Sequence, residues 1–138
     1  MRGLLADVNV QGHLPYLRRL IAVIDLWEVL AAEAIEFAEF AHVHLSQELD
    51  DRAIWNFCQA EGWVLLTDNR NEEGANSLQA TLGDSWRPGH LPIVTISDRE
   101  KFVRMPEYAT RVATQIADVL YGVVQGEYRD RPRIFVPH

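Results

Sequence analysis

An α/β fold is what this sequence predicts, built as a three-layer helix–sheet–helix sandwich with a mainly parallel central sheet. Three observations point there. Short apolar runs, "GLLADVN", "WVLLT" and "LPIVTI", recur along the 138 residues and each gives way to polar side chains. Amphipathic helical patterns fall between them. "WVLLT" also lacks polar alternation, which is the mark of a strand covered on both faces. Strands that alternate with helices pair in parallel through right-handed crossovers, and this puts helices on both sides of the sheet.

The elements follow in order. "GLLADVN" is the first strand, closing at Asp7 and Asn9. "GHLPYLRRLIAVI" spaces Leu14, Leu17, Leu20, Ile21 and Ile24 as one helix face, with Pro15 in the first turn. "DLWEVLAAEA" is helical, and "IEFAEFAHVHL" alternates in part, which predicts a short strand. In "SQELDDRAIWNFCQAEG" either Asp50 or Asp51 caps a helix whose buried face is Ile54, Phe57 and Cys58, and Gly62 ends it. "WVLLT" is the next strand, "GANSLQATLG" a short helix, "DSWRPGH" a loop and "LPIVTI" a further buried strand. Pro106 opens a long helix with Tyr108, Val112, Ile116, Val119, Leu120 and Val123 on one face. The domain spans 1–126. Residues 127–138 are a tail in which Ile134 to Val136 suit an edge strand or a segment that docks on a partner.

Composition narrows the function. No run reaches the roughly 20 apolar residues of a membrane helix, and "MRGLLADVNV" is too short and too soon broken by Asp7 for a signal peptide. A lone Cys58 excludes an intrachain disulfide and fits a reducing cytoplasm. Beside Phe57 in a helical pattern, it reads as a structural thiol. A net charge of −7 argues against a surface coated for unspecific nucleic-acid binding. Lys101 is the only lysine, so the other cations are arginines, suited to local bidentate grips on phosphate but equally explained by codon usage.

The acids carry the chemistry. Sites in open parallel sheets form at the carboxyl ends of the strands. Asp7 ends the first strand, Asp68 follows "WVLLT", Asp98 follows "LPIVTI", and Asp51 opens a helix at the same edge. If all four meet on one rim, their repulsion calls for a proton, an arginine or a divalent metal. Mg²⁺ or Mn²⁺ takes oxygen ligands of this kind and can activate water for attack on phosphorus. Asn9, Asn69 and Asn71 add amide or carbonyl contacts, and Arg70 is placed to face phosphate. Singly, each of these Asp is better explained as a turn former or cap; the recurrence at successive strand ends is the signal.

At these residues the chain resembles the PIN-like nuclease superfamily, especially its short toxin-type branch in bacteria and archaea. "LLADVNV" is similar to the family's opening strand ending in Asp. "LDDRAIWNFCQAEGWVLLT" is similar to its Asp-capped helix, glycine stop and strand ending in Thr, with Asp51 rather than Asp50 in the acid's place. "TDNRN" takes the place of a Thr-x-Asp-x-Asp-Phe turn, and "LPIVTISD" resembles the strand that follows. The resemblance runs from about Gly3 to Val124. It implies a PIN-like, Rossmann-like topology and a Mg²⁺- or Mn²⁺-dependent ribonuclease, often a homodimeric toxin paired with an antitoxin. It also implies Asp7 and Asp51 as the first two metal ligands. The turn departs from the pattern, with Asn69 and Asn71 where the family has Asp, Asp68 one place early and Glu72 for Phe. Three consequences stay open: ligation through an amide oxygen, ligation by Asp68, or a weakened site.

Lesser features point elsewhere. His42 and His44 alternate as on one strand face, with no third ligand suggested, and fit packing better than metal. Trp27, Trp55, Trp63 and Trp86 fit core positions, with Trp86 beside Arg87 the one candidate for stacking on a base. Arg18 and Arg19 form a solvated helix face. The sequence thus predicts a cytoplasmic, metal-dependent RNA hydrolase with catalytic Asp7, Asp51, Asp68, Asn69 and Arg70 and metal ligands Asp7, Asp51, Asp68 and Asp98. The alternatives are a PIN-like module that binds a protein or RNA without cleaving it and a small phosphodiesterase acting on a nucleotide.

Overall fold

A computed structural model describes residues 1–69 and 74–138. Its sheet has five strands, all parallel: β1 Gly3–Ala6, β2 Glu36–Glu39, β3 Trp63–Thr67, β4 Ile93–Ile96 and β5 Arg133–Val136, in the spatial order β2-β1-β3-β4-β5. The inner strands β1, β3 and β4 are buried at every residue, whereas the edge strands β2 and β5 are buried only in part. That contrast explains the uniform apolarity of "WVLLT" against the mixed pattern of "EFAE". Among the described residues the helices are α1 Leu14–Val23, α2 Trp27–Ala32, α3 Asp51–Glu61, α4 Leu78–Ser85, α5 Arg99–Arg104 and α6 Pro106–Val124.

Successive strand residues point to opposite faces, and two cores result. Leu4, Ala6, Val64, Leu66, Val94 and Ile96 meet α1, α2, α5 and α6 on one side. Leu5, Trp63, Leu65 and Ile93 meet Ile54, Trp55 and Cys58 of α3 and Leu78 of α4 on the other. The expected buried face of α3 is thus corrected by one residue: Trp55 is buried, and Phe57 packs at the border. Ile134 and Val136 belong to the first core, so residues beyond 126 are integral to it.

The crossovers depart from the expectation of uniform handedness. The β1-to-β2 connection moves toward one edge over the α1/α6 face. The β4-to-β5 connection moves toward the other edge over that same face. With all strands parallel, these two must have opposite hands, and the β2-to-β3 and β3-to-β4 connections share the hand of the first. The broad apolar stripe of α6 explains the exception. It completes the layer beside α1 over β1, β3 and β4, which a helix on the α3/α4 side would leave bare.

Local chemistry sets the element ends. Gly62 takes φ 84° to stop α3, and its N–H bonds the Cys58 carbonyl. Asp50 caps α3, Ser77 caps α4 and Asp98 caps α5, each accepting from the backbone N–H three residues on. α5 is a helix the sequence reading left inside a connection. The pair His42 and His44 is not on a strand: β2 stops at Glu39, His42 sits in the 3₁₀ turn Phe40–Val43 with Nδ1 accepting from the Glu39 N–H, and His44 turns left-handed at φ 59°. Cys58 is buried and its thiol is pushed up to about 12 by that burial, as suits a structural sulfur. Among the described residues no helix is long and apolar enough to cross a membrane.

Candidate functional site at the carboxyl edge of β1 and β3

In a doubly wound sheet the binding crevice opens where the strand order reverses, outside the carboxyl ends. Here that point lies between β1, which leads outward to β2, and β3, which leads the other way. Asp7 and Thr67–Asn69 stand at this point. The Asp7 N–H bonds the Leu66 carbonyl at 2.9 Å, and its own carbonyl accepts from Val10 and Gln11 to start the turn into α1. The carboxylate is therefore fixed between two central strands.

Asp7 is 8% exposed. Its Oδ1 accepts from the Asn9 N–H at 2.7 Å and its Oδ2 from the Thr67 hydroxyl at 2.7 Å. Its pKa is raised above 3.8, first by burial, with the charges of Asp68 and then Asp51 adding; the bonds from Thr67 and Asn9 pull the other way. The three carboxylates thus share one electrostatic neighbourhood, although they come from widely separated parts of the chain.

Asp51 is freed for this site by its neighbour. Asp50, not Asp51, accepts the Ala53 N–H at 2.9 Å. The Asp51 Oδ2 accepts instead from the Asn69 Nδ2 at 3.0 Å. Asn69 is pinned in turn, its N–H donating to the Thr67 hydroxyl at 2.9 Å and its carbonyl accepting from the Arg133 Nη1 at 3.0 Å. A continuous chain therefore links Asp7, Thr67, Asn69 and Asp51. Asp68 pairs with Arg99, Nη1 to Oδ2 at 3.3 Å, and the same nitrogen donates to the Asn9 carbonyl at 3.1 Å. Asp98 caps α5, its Oδ1 accepting from the Lys101 N–H at 3.1 Å. Arg70 and Asn71, with Glu72, lie outside the described residues.

Trp86 packs against the second core, and Arg87 donates to the Trp86 carbonyl at 2.7 Å, so that pair is tied to its own loop. Sequence reasoning missed Arg99 and Arg133, and it noticed Thr67 only as a strand end. Arg99 was findable, since it follows β4 at the edge that had already singled out Asp98.

Among the described residues no three His, Cys, Asp or Glu side chains form a ready-made metal cage. Asp7, with Asp68 and Asp51 within electrostatic reach of it, nonetheless offers hard oxygen near the reversal point, and their repulsion adds to the raised proton affinity of Asp7. Those donors fit Mg²⁺ or Mn²⁺, which retain waters and need few protein ligands. No protein-family model, curated protein or solved structure matches the chain.

Proposed function

We propose that the protein is a PIN-like hydrolase of RNA phosphodiester bonds that works with Mg²⁺ or Mn²⁺. The observation that carries this is the burial of Asp7 at the strand-order reversal, within electrostatic reach of Asp68 and Asp51. A bound divalent cation would supply an activated water and charge neutralisation at phosphorus. The protein's part is preorganisation. Thr67 and the Asn9 N–H fix both oxygens of Asp7, each of which keeps a further lone pair. The Asn69 amide orients Asp51. Burial holds Asp7 toward its neutral acid, and nearby positive charge reverses that preference. In the toxin form of this reading the protein acts in the cytoplasm as a homodimer restrained by a cognate antitoxin.

The test is cleavage of single-stranded RNA with Mn²⁺ or Mg²⁺. Asp7→Asn and Asp51→Asn should each lose at least about 100-fold in rate, the usual scale for deleting one electrostatic group of a site. Cleavage by both variants at the wild-type rate refutes the assignment.

A second reading has its own observation. Each acid already has a protein partner: Thr67 and Asn9 for Asp7, Asn69 for Asp51, Arg99 for Asp68. This suits a PIN-like module that binds a protein or RNA without cleaving it. No heat on Mn²⁺ titration, together with a stable complex with a cognate antitoxin, selects that reading.

A further inference from the structure

We propose that Arg99 is a resident counter-ion of the acidic site and competes with the divalent cation for Asp68; this rests on the metal-dependent reading above. Three features argue for it. First, Arg99 approaches Asp68 from outside the cluster, at N1 of α5, and its side chain is 45% exposed against 20% for Asp68. The guanidinium therefore has more solvent to move into than the carboxylate has.

Second, the contact is built for exchange. An arginine grips a carboxylate most strongly through two parallel N–H bonds. Here one nitrogen, Nη1, serves both the Asp68 Oδ2 and the Asn9 carbonyl, at 3.3 and 3.1 Å. A single-nitrogen ion pair near the surface is weak enough for a dication to displace.

Third, the location matters electrically. Asp68 directly follows Thr67, whose hydroxyl donates to the Asp7 carboxylate, so its charge lies close to that of Asp7. Neutralising Asp68 weakens the negative potential that would attract a cation, so the paired state of Arg99 opposes metal entry. Once displaced, the guanidinium remains beside the site, where a substrate phosphate offers it a new anion.

Arg99 also fastens the turn after β1 to the turn after β3, and a purely structural role predicts the opposite result when it is removed. Loosened ligands bind a cation less well or no better. Loss of a competitor makes them bind it more tightly.

The experiment is calorimetric titration of the full chain with Mn²⁺, a readout independent of RNA cleavage. Arg99→Gln and Arg99→Met should each lower the Mn²⁺ Kd by about 3- to 10-fold, the scale of a partly exposed ion pair plus the removed charge. In an Asp68→Asn background, Arg99→Gln should shift the Kd by less than about 2-fold, because the shared partner is gone. Thermal melts confirm that each variant is folded, and the two neutral variants guard against failure of one. Binding by Arg99→Gln with none by wild type also supports the proposal. If wild type binds Mn²⁺ and both Arg99 variants bind equally or more weakly, the counter-ion role is overturned and the metal site survives. If no variant binds Mn²⁺, the metal-dependent reading falls and takes this inference with it.

Discussion

Replacing Thr67 with valine keeps the side-chain shape and deletes one oxygen that works in two directions. Thr67 is fully buried. Its hydroxyl donates to the Asp7 Oδ2 at 2.7 Å and accepts the Asn69 N–H at 2.9 Å. Losing a hydrogen bond to an ionised acceptor costs about 1.5–3 kcal/mol, and a half-buried N–H left without its partner adds about 1 kcal/mol. Thr67→Val should therefore lose about 2.5–4 kcal/mol at pH 8. For a domain of this size each kcal/mol is worth about 3–5 °C, so the melting temperature should fall by about 8–20 °C. The loss should also depend on pH, with a definite sign. Burial already raises the Asp7 pKa above 3.8, so the native state holds a proton that the unfolded chain has released. Stability therefore falls as pH rises from 3.8 through the folded-state value and is level beyond it. Thr67 is one of the groups that lower this pKa. Without it the pKa climbs further and the fall is deeper. Urea unfolding between pH 3.5 and 8, followed by tryptophan fluorescence, should show the gap between wild type and Thr67→Val widest at pH 8. Toward pH 3.5 it should narrow to the smaller contribution from the Asn69 N–H. A gap that is absent at pH 8, or that widens as pH falls, refutes the bridge between Asp7 and Asn69.

Two further predictions address the frame around the site. Arg52, beside Asp51, reaches across to the Asn76 Oδ1 at 3.2 Å, the Ser85 Oγ at 3.2 Å, and the Ala75 carbonyl and Asp84 Oδ2 at 2.9 Å each. Arg52→Ala should lower stability by about 2–3 kcal/mol, discounted because Asp84 is mostly exposed. Arg52→Lys, which lacks the fork, should recover less than half in the same thermal melt. At Gly3 a Cβ would fall on the Glu36 carbonyl oxygen of the neighbouring strand. Gly3→Ala should cost about 1–3 kcal/mol in urea unfolding by forcing β1 and β2 apart, and wild-type stability would show that this edge pairing is slack.

The fold was legible wherever burial alone decides it. Strands β1, β3 and β4 are covered on both faces and read as unbroken apolar runs, and α6 carries its stripe over nineteen residues. The short helix α5 was not legible. Its six residues give no period, and its start signal, Asp98, had been read as a site acid. The hand of the last crossover was hidden too, because the side of the sheet that α6 covers depends on which face other helices leave open. In the site, the strand-end rule located Asp7 and Asp68. It did not reveal the partners: Arg99 arrives from the helix after β4 and Arg133 from the first residue of β5, and their bonds to Asp68 and Asn69 are known only once β4 and β5 are placed.

Whether Asp7 is a turn former or part of a site can be argued from cost. As a turn former it needs only an acceptor for the Asn9 N–H, 2.7 Å away. An asparagine at position 7 would supply that acceptor, and its neutral amide would avoid the desolvation that now raises the Asp7 pKa. It would also avoid repulsion from Asp51 and Asp68. The geometry next door shows the alternative at work, since Asp50 satisfies its helix start from an exposed position at no such penalty. A buried carboxylate beside two others, where an amide would turn the chain as well, carries a stability cost that local structure does not require. Costs of that kind collect where charge has work to do, and this one sits at the strand-order reversal where a doubly wound sheet opens its crevice.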